Sequence, residues 1–483
     1  MILELGISAL ITFAGWLVYA TYFFLDQRLR MWKFRGPMAF PVIGNAYDPA
    51  AVYFLRYLST MRKKFGKIYT LFSFFSGFLV VCDPKVVRRI LSDSKTFYKG
   101  TDYTMRFDIA FGEGLVTANG EKHRRDRTVF GKYFIRASIA KFAGTINKVS
   151  RACIDQYLTP LIKNGQSVSI DIEDFFAKLT LRNFMNFSLS TDLSHDLERE
   201  RMVCDLVSKG SHAMGTIIVF ALPLWSILPQ VKTVKYMRDA MIQLFRDVLA
   251  QRRDRLSRGL DGDVDDCLSA MLQDNMPENE MVDHFVTLVC AGHDTTAFFL
   301  SYTTYLLATH PEVQDKLYAA VMKQVGHKDE VTVDDFGELK YLHCIMMETL
   351  RYYAIIPAVT RVASEDVYIK EANVTIPKGV SLLCPMIVLN RDPEIWDKPS
   401  EFIPERFVEK GNDFTSAKDG FFPFGYGTRT CIGNLFAQVE AGITLCMMLK
   451  QFRFEAEPEF RPLIRAGISL TTSNGVKIVL KAR

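Results

Sequence analysis

The stretch 421–437, FFPFGYGTRTCIGNLFA, constrains this chain more than any other. One cysteine, Cys431, stands between Gly427 and Gly433, after Phe424 and Arg429, and an apolar run with helical spacing follows at once. Glycines at 425, 427 and 433 let the backbone bend close to a flat macrocycle where a Cβ would clash. Backbone N–H groups and the start of a helix stabilise a negative sulfur. Each residue type therefore has a task if Cys431 is a thiolate bound to haem iron. Arg429 could then pair with a haem propionate, and Phe424 would shield the sulfur from water. The plainer alternative is a buried structural cysteine in a Gly-rich turn, and the full F-x-x-G-x-R-x-C-x-G pattern weighs against it.

That pattern resembles the haem-binding loop of the cytochromes P450, the haem-thiolate monooxygenases. A thiolate axial ligand pushes electron density to iron and favours O–O cleavage.

Composition sets the remaining bounds. At 483 residues, 49% of them hydrophobic, with 37 Phe and 19 Met, the chain suits a large globular protein that encloses an apolar cavity. A formal charge of +5 is slight for this length and argues against nucleic-acid binding. Nine cysteines without a C-x-x-C pair read as reduced thiols in a cytosol-facing domain. The eight histidines form no H-E-x-x-H or Cys/His cluster, which argues against a zinc site.

Residues 5–25 carry no formal charge, and as a helix they would be about 31 Å long, matching a bilayer core of about 30 Å. Arg28, Arg30, Lys33 and Arg35 follow, with Glu4 on the other side, so the positive-inside rule places the main domain in the cytoplasm. A cleaved signal peptide is the alternative, but no small-residue cleavage site is evident and the basic cluster follows the apolar run. The expected organisation is an anchor at 1–27, a basic Pro/Gly hinge at 28–45 (RGPMAFPVIGN within it) and a catalytic domain at 46–483.

Further along, 67–82 reads as a strand pair turning at Ser76-Gly77, and 84–92 as a helix. The segment 98–115, with glycines at 100, 112 and 114, reads as irregular. A helix opening at Gly120 puts His123 and Arg127 on one face. The resemblance gives that pair to the haem propionates and leaves Lys122, Arg125 and Lys132 to meet an acidic partner. The apolar run 217–228, broken by Pro223, reads either as core or as a membrane-dipping loop, and 259–266 as an acidic loop.

The longest helical pattern, 280–309, closes at His310-Pro311 and contains Ala291-Gly292-His293-Asp294-Thr295-Thr296. Gly and Thr at mid-helix cost stability, and a broken local rule marks function. By resemblance to A-G-x-[DE]-T-T, Gly292 would admit dioxygen, Thr295 would hydrogen-bond it and Asp294 would relay protons. Glu348 and Arg351 form an E-x-x-R, and with Arg406 of Pro404-Glu405-Arg406-Phe407 they resemble the buried network that braces the cysteine loop. Arg361 matches a third propionate-binding arginine, while Asn390 stands where many relatives carry His. Two apolar runs around Asn474-Gly475 read as a hairpin.

The resemblance spans the chain and implies a mainly α fold with a minor β region: the cytochrome P450 fold, haem between the long helix and the Cys431 loop, after one transmembrane helix. It implies a monooxygenase carrying haem b, held by His123, Arg127, Arg361, Phe424, Arg429, Cys431 and Gly433. Asp294 and Thr295 would be catalytic, and Phe285, Val289, Ala291, Val359 and Leu470 candidates for the substrate pocket. Electrons would come from NADPH through a separate flavoprotein reductase, with cytochrome b5 as a possible second donor. The substrate would be a lipophilic small molecule (fatty acid, sterol or xenobiotic), and the location the endoplasmic reticulum membrane. Two rivals remain: a peroxide isomerase or dehydratase of the same fold, and a non-catalytic haem or lipid binder. The Asp294-Thr295 pair and Cys431 argue against both.

Overall fold

The computed structural model describes residues 2–74, 76–162, 167–215, 228–260, 264–410 and 420–483. Helices dominate among them: α1 Ile2–Arg30, α2 Phe54–Phe65, α3 Pro84–Ser92, α4 Thr101–Phe111, α5 Gly120–Gly131, α6 Arg136–Cys153, α7 Ile172–Leu189, α8 Leu197–Gly215, α9 Pro229–Ser257, α10 Cys267–Gln273, α11 Glu278–Thr309, α12 Pro311–Val325, α13 Val333–Glu338, α14 Lys340–Tyr352, α15 Met386–Leu389 and α16 Asn434–Gln451.

Helix α11 is the axis of the molecule. It is buried through most of its 32 residues because α4, α7, α9, α14, α16 and strand β9 (Phe452–Ala456) pack around it. A helix apolar on all sides is stable only inside a core. Pro311 cannot continue the hydrogen-bond ladder, but its fixed φ suits a first turn, so α11 ends and α12 begins there.

The main sheet pairs β1 (Ile68–Ser73) with β2 (Ser76–Val81), then β8 (Ser381–Cys384), β5 (Val359–Ala363) and β3 (Phe97–Tyr98). Only the β2–β8 pairing is parallel within it. β6 (Val367–Ile369) and β7 (Val374–Ile376) form a small hairpin. β12 (Lys477–Ala482) lies between β4 (Val168–Asp171) and β9.

Helix α1 docks by its last turns. Ala20, Phe24 and Met31 are buried, and Phe24 lies 4.8 Å from the Phe72 ring. Its earlier turns leave Leu10, Ile11, Val18, Tyr19 and Tyr22 exposed. Among the described residues, no helix is long and apolar enough to cross a membrane. The Pro/Gly stretch after it is stitched to β1: Thr70 N donates to Arg35 O (2.9 Å) and Phe72 N to Asn45 Oδ1 (2.7 Å).

Three expectations need correction. The β1–β2 turn lies before Ser76 and includes Phe74, which takes a positive φ of 53°, while Ser76-Gly77 opens β2. The segment 98–115 contains α4, because Gly100 and Gly112 cap that helix rather than interrupt it. The C-terminal hairpin pairs β10 (Ile464–Ala466) with β11 (Leu470–Thr472), whereas Asn474-Gly475 leads into β12 of a different sheet. There Asn474 Oδ1 accepts from Leu463 N at 2.7 Å, closing the hairpin's base instead of its tip. The runs 216–227 and 261–263, which include nearly all of the proposed membrane-dipping segment, lie outside the described residues.

Candidate haem site

The Cys431 loop is folded back on itself before α16. Cys431 N donates to Phe424 O at 2.8 Å, and Thr430 Oγ1 to Gly427 O at 2.7 Å. Gly427 has φ +73°, and a Cβ there would meet Leu91 O at 2.6 Å. The demand for glycine at 427 thus comes from the end of α3 crossing the loop. The Cys431 thiol is surrounded by protein yet open to space, as a group facing an internal cavity must be. Burial pushes its pKa up, while the Gly433 N–H and the Arg127 charge pull it down. Burial wins, so the thiol needs a further positive charge, such as a metal ion, to become a thiolate.

Basic side chains gather beside it. His123 and Arg127 come from α5, Arg361 from β5, Arg429 from the loop and Lys99 from the chain after β3. Burial and the neighbouring Arg429, Lys99 and Arg127 push His123 down to about 3. Lys99 is held well below its usual range by burial, then by Arg361 and Arg429. Asn119 ties the group together: its Oδ1 accepts from Lys99 N (3.2 Å) and Arg429 Nη2 (3.1 Å), and its Nδ2 donates to Lys99 O (2.8 Å). Such crowding of like charge calls for anions, and the two propionates of a haem supply them.

Helix α11 carries Ala291 and Thr295. Ala291 is exposed although its helix is otherwise deep in the core, and Thr295 Oγ1 donates to its carbonyl at 2.7 Å. Gly292 has a different neighbour from the one expected. A Cβ there would meet the Phe184 ring of α7 at 2.2 Å, so its missing side chain serves helix packing and leaves no gap for dioxygen on that side. Asp294 is buried and accepts from Ser469 Oγ at 3.2 Å, and burial raises its carboxyl to about 6. His293 is fixed by Thr180, Nδ1 to Oγ1 at 3.0 Å.

Glu348, Arg351 and Arg406 meet behind the loop. Arg351 Nε and Nη2 each donate to Glu348 at 2.7 Å, in the bidentate geometry that fixes a carboxylate most firmly. Arg406 Nε reaches Glu348 Oε1 at 3.3 Å, and Ile403 N reaches the same oxygen at 2.9 Å. Arg351 also donates to the carbonyls of Asn390, Pro399 and Glu401. Asn390 itself is a packing contact, its Nδ2 donating to Leu350 O at 3.2 Å.

A family model described as Cytochrome P450 matches residues 34–478. The chain belongs to the cytochrome P450 family. Cytochrome P450 734A1 of Arabidopsis thaliana is 27% identical, over 83% of this chain and 78% of its own. The 11-oxo-beta-amyrin 30-oxidase of Glycyrrhiza uralensis is 26% identical over 91% and 85%. A putative cytochrome P450 of Caenorhabditis elegans is 28% identical over 95% and 97%. As a cytochrome P450 this chain is a haem-dependent, oxygen-incorporating oxidoreductase with a small-molecule substrate and a redox partner. The residues present fit haem: an enclosed thiol and a cluster of basic side chains that includes Arg127 beside it.

Lys99 and Asn119 had no motif to announce them. An N-cap signal marks Asn119, but its side chain bonds Lys99 and Arg429 in place of the helix. Of the pocket candidates, Ala291 and the half-buried Val359 border open space. Phe285, Val289 and Leu470 are fully packed, Phe285 against Phe245 at 5.1 Å. The basic face expected on α5 is largely committed. Lys122 and Arg125 pair with Asp126 and Glu280, and Arg124 with Glu121, which leaves Lys132 exposed.

Proposed function

We propose that Cys431 would supply a thiolate to the iron of a haem b, and that His123, Arg127, Arg361, Arg429 and Lys99 would hold its propionates. Phe424 and Gly433 shape the sulfur's surroundings, and the chain hydroxylates a lipophilic substrate. The observation that carries this reading is the cluster of His123, Arg127, Arg361, Arg429 and Lys99, with Arg127 near enough to Cys431 for its charge to favour the thiolate. Haem would supply the reductive scission of O2 and the insertion of one oxygen atom into a C–H bond. Thr295 would meet the oxygen to be activated, and the bond from its Oγ1 to the Ala291 carbonyl sets the direction of that hydroxyl. Asp294 stands behind it as a proton store near neutrality, where a general acid or base works best.

NADPH-derived electrons come through a flavoprotein reductase or cytochrome b5. The exposed apolar turns of α1 support an anchor at 1–27 in the endoplasmic reticulum membrane, with 28–45 as hinge and 46–483 as a cytoplasmic catalytic domain. The direct test is turnover of a membrane-lipid extract under 18O2 with NADPH and a supplied reductase. One labelled oxygen atom per product molecule is the expected result. Product formed equally well without O2 and NADPH would overturn the reading in favour of an isomerase or dehydratase.

Thr295→Ala is expected to keep haem and consume NADPH but to release peroxide in place of product. Asp294→Asn is expected to slow turnover by about 10²–10⁴-fold. A donor acts in its protonated form, so wild-type turnover should fall as pH rises through about 6, the value to which burial brings Asp294. That limb should vanish in Asp294→Asn. Wild-type coupling in Thr295→Ala, or an unchanged pH profile in Asp294→Asn, would remove these roles.

The reductase is placed against the end of α5. Lys132→Glu should slow reductase-driven turnover most at low ionic strength, where the Debye length is long, and leave peroxide-driven turnover nearly untouched. Equal loss in both assays would point to haem or fold support instead.

A further inference from the structure

Between α5 and α11, three side chains of metal-ligating type converge. Asp126 is wholly buried on α5, while Glu280 and His284 are four apart on α11 and share a face. One ligand atom from each lies within 4.8 Å of the others. His284 Nε2 is 3.4 Å from Asp126 Oδ2 and 4.0 Å from Glu280 Oε1. The imidazole is 0% exposed and packs on Phe130; Nε2 faces the Asp126 carboxylate, and Nδ1 has no hydrogen-bond partner among the described residues. A buried ring nitrogen without a partner is costly and calls for an explanation.

The carboxylates already hold positive charge. Asp126 Oδ1 accepts from Arg125 Nε (3.0 Å) and Nη2 (2.9 Å), and Asp126 Oδ2 faces Lys122 Nζ at 3.2 Å. Glu280 Oε1 contacts Lys122 and Arg125 as well. The side chains of Lys122 and Arg125 are 27% and 47% exposed, so both can swing into water on their flexible stems.

We propose that Asp126, Glu280 and His284 form a binding site for a divalent cation of the zinc class, which displaces Lys122 and Arg125 from the carboxylates. Imidazole plus two carboxylate oxygens is a zinc-type donor set, whereas calcium and magnesium favour oxygen alone. Two carboxylates balance a doubly charged ion as they balance the two side-chain cations it replaces. Tetrahedral zinc bonds of about 2.0–2.2 Å set ligand atoms roughly 3.3–3.6 Å apart, so closure of about an ångström completes the site, with water as the fourth ligand. The ion would clamp the helix carrying His123 and Arg127 to α11 and would release two cations to the surface. Sequence spacing concealed this site because only the Glu280–His284 pair is local.

The test uses haem-loaded enzyme, stripped with chelator and titrated with zinc sulfate against a competing chelator. Crystals soaked in zinc are examined by anomalous diffraction at the zinc edge. One tight equivalent and an anomalous peak between the three side chains are expected. Glu280→Gln, at a partly exposed position, should weaken binding by more than about 100-fold, since even outer-shell losses cost about 10–100-fold. Lys122→Met should tighten binding by removing the competing ammonium. No peak between Asp126 and His284 at saturating zinc, or an affinity unchanged in Glu280→Gln, would leave the group an ion-pair network only. Should Glu280→Gln not fold, the wild-type anomalous map decides alone.

Discussion

Glu348→Ala is expected not to accumulate as haem-loaded protein. Glu348 is wholly buried and accepts from Arg351 twice, from Arg406 and from Ile403 N. Truncation leaves Arg351, also 0% exposed, as a charge with carbonyl dipoles and the Tyr352 and Trp396 rings around it but without its carboxylate. Breaking a buried pair from one side costs about 3–5 kcal/mol, a large part of the roughly 5–15 kcal/mol that holds a typical domain folded. The brace also fixes 399–403 and, through Arg406, the carbonyls of Asp397 and Lys398, so the loss spreads into the segment leading toward the Cys431 loop. Glu348→Gln, which keeps the shape and one acceptor, should fall between. Soluble yield, haem content per chain and the thermal midpoint measure this. A fully haem-loaded Glu348→Ala with normal turnover would show the brace to be dispensable.

The parts of the site carried by local pattern were legible. The F-x-x-G-x-R-x-C-x-G run marks a loop whose glycines are demanded by close approach, though at Gly427 the approaching group proved to be the end of α3. Proline at 311 marks the end of α11, and the Glu348–Arg351 spacing places two opposite charges on one helical face. What stayed hidden depends on contacts between segments distant in sequence. Lys99 is one lysine among many until folding sets it beside Arg361 and Arg429. Asp294 is adjacent to Thr295 in the chain, yet a helix turns successive residues by about 100°, and its carboxylate meets Ser469 of the C-terminal hairpin. The charge run on α5 read as a free basic face because its partner, Glu280, lies on another helix. Gly100 and Gly112 looked like breaks, since composition does not say whether a glycine interrupts a helix or ends it.

The central claim is that Cys431 alone supplies the sulfur to haem iron. Its thiol is the one cysteine open to space among nine, the other eight being buried in the core. It is also the one flanked by the Gly433 N–H and the Arg127 charge, both of which favour the thiolate. Burial raises the pKa of the others, Cys446 of α16 to about 12. The decisive measurement is the absorption spectrum of the reduced carbon monoxide complex in Cys431→Ser and Cys431→His, beside Cys446→Ala as control. Loss of the red-shifted thiolate band in both Cys431 variants, with the band intact in Cys446→Ala, is the predicted result; an unchanged band in either Cys431 variant would contradict it.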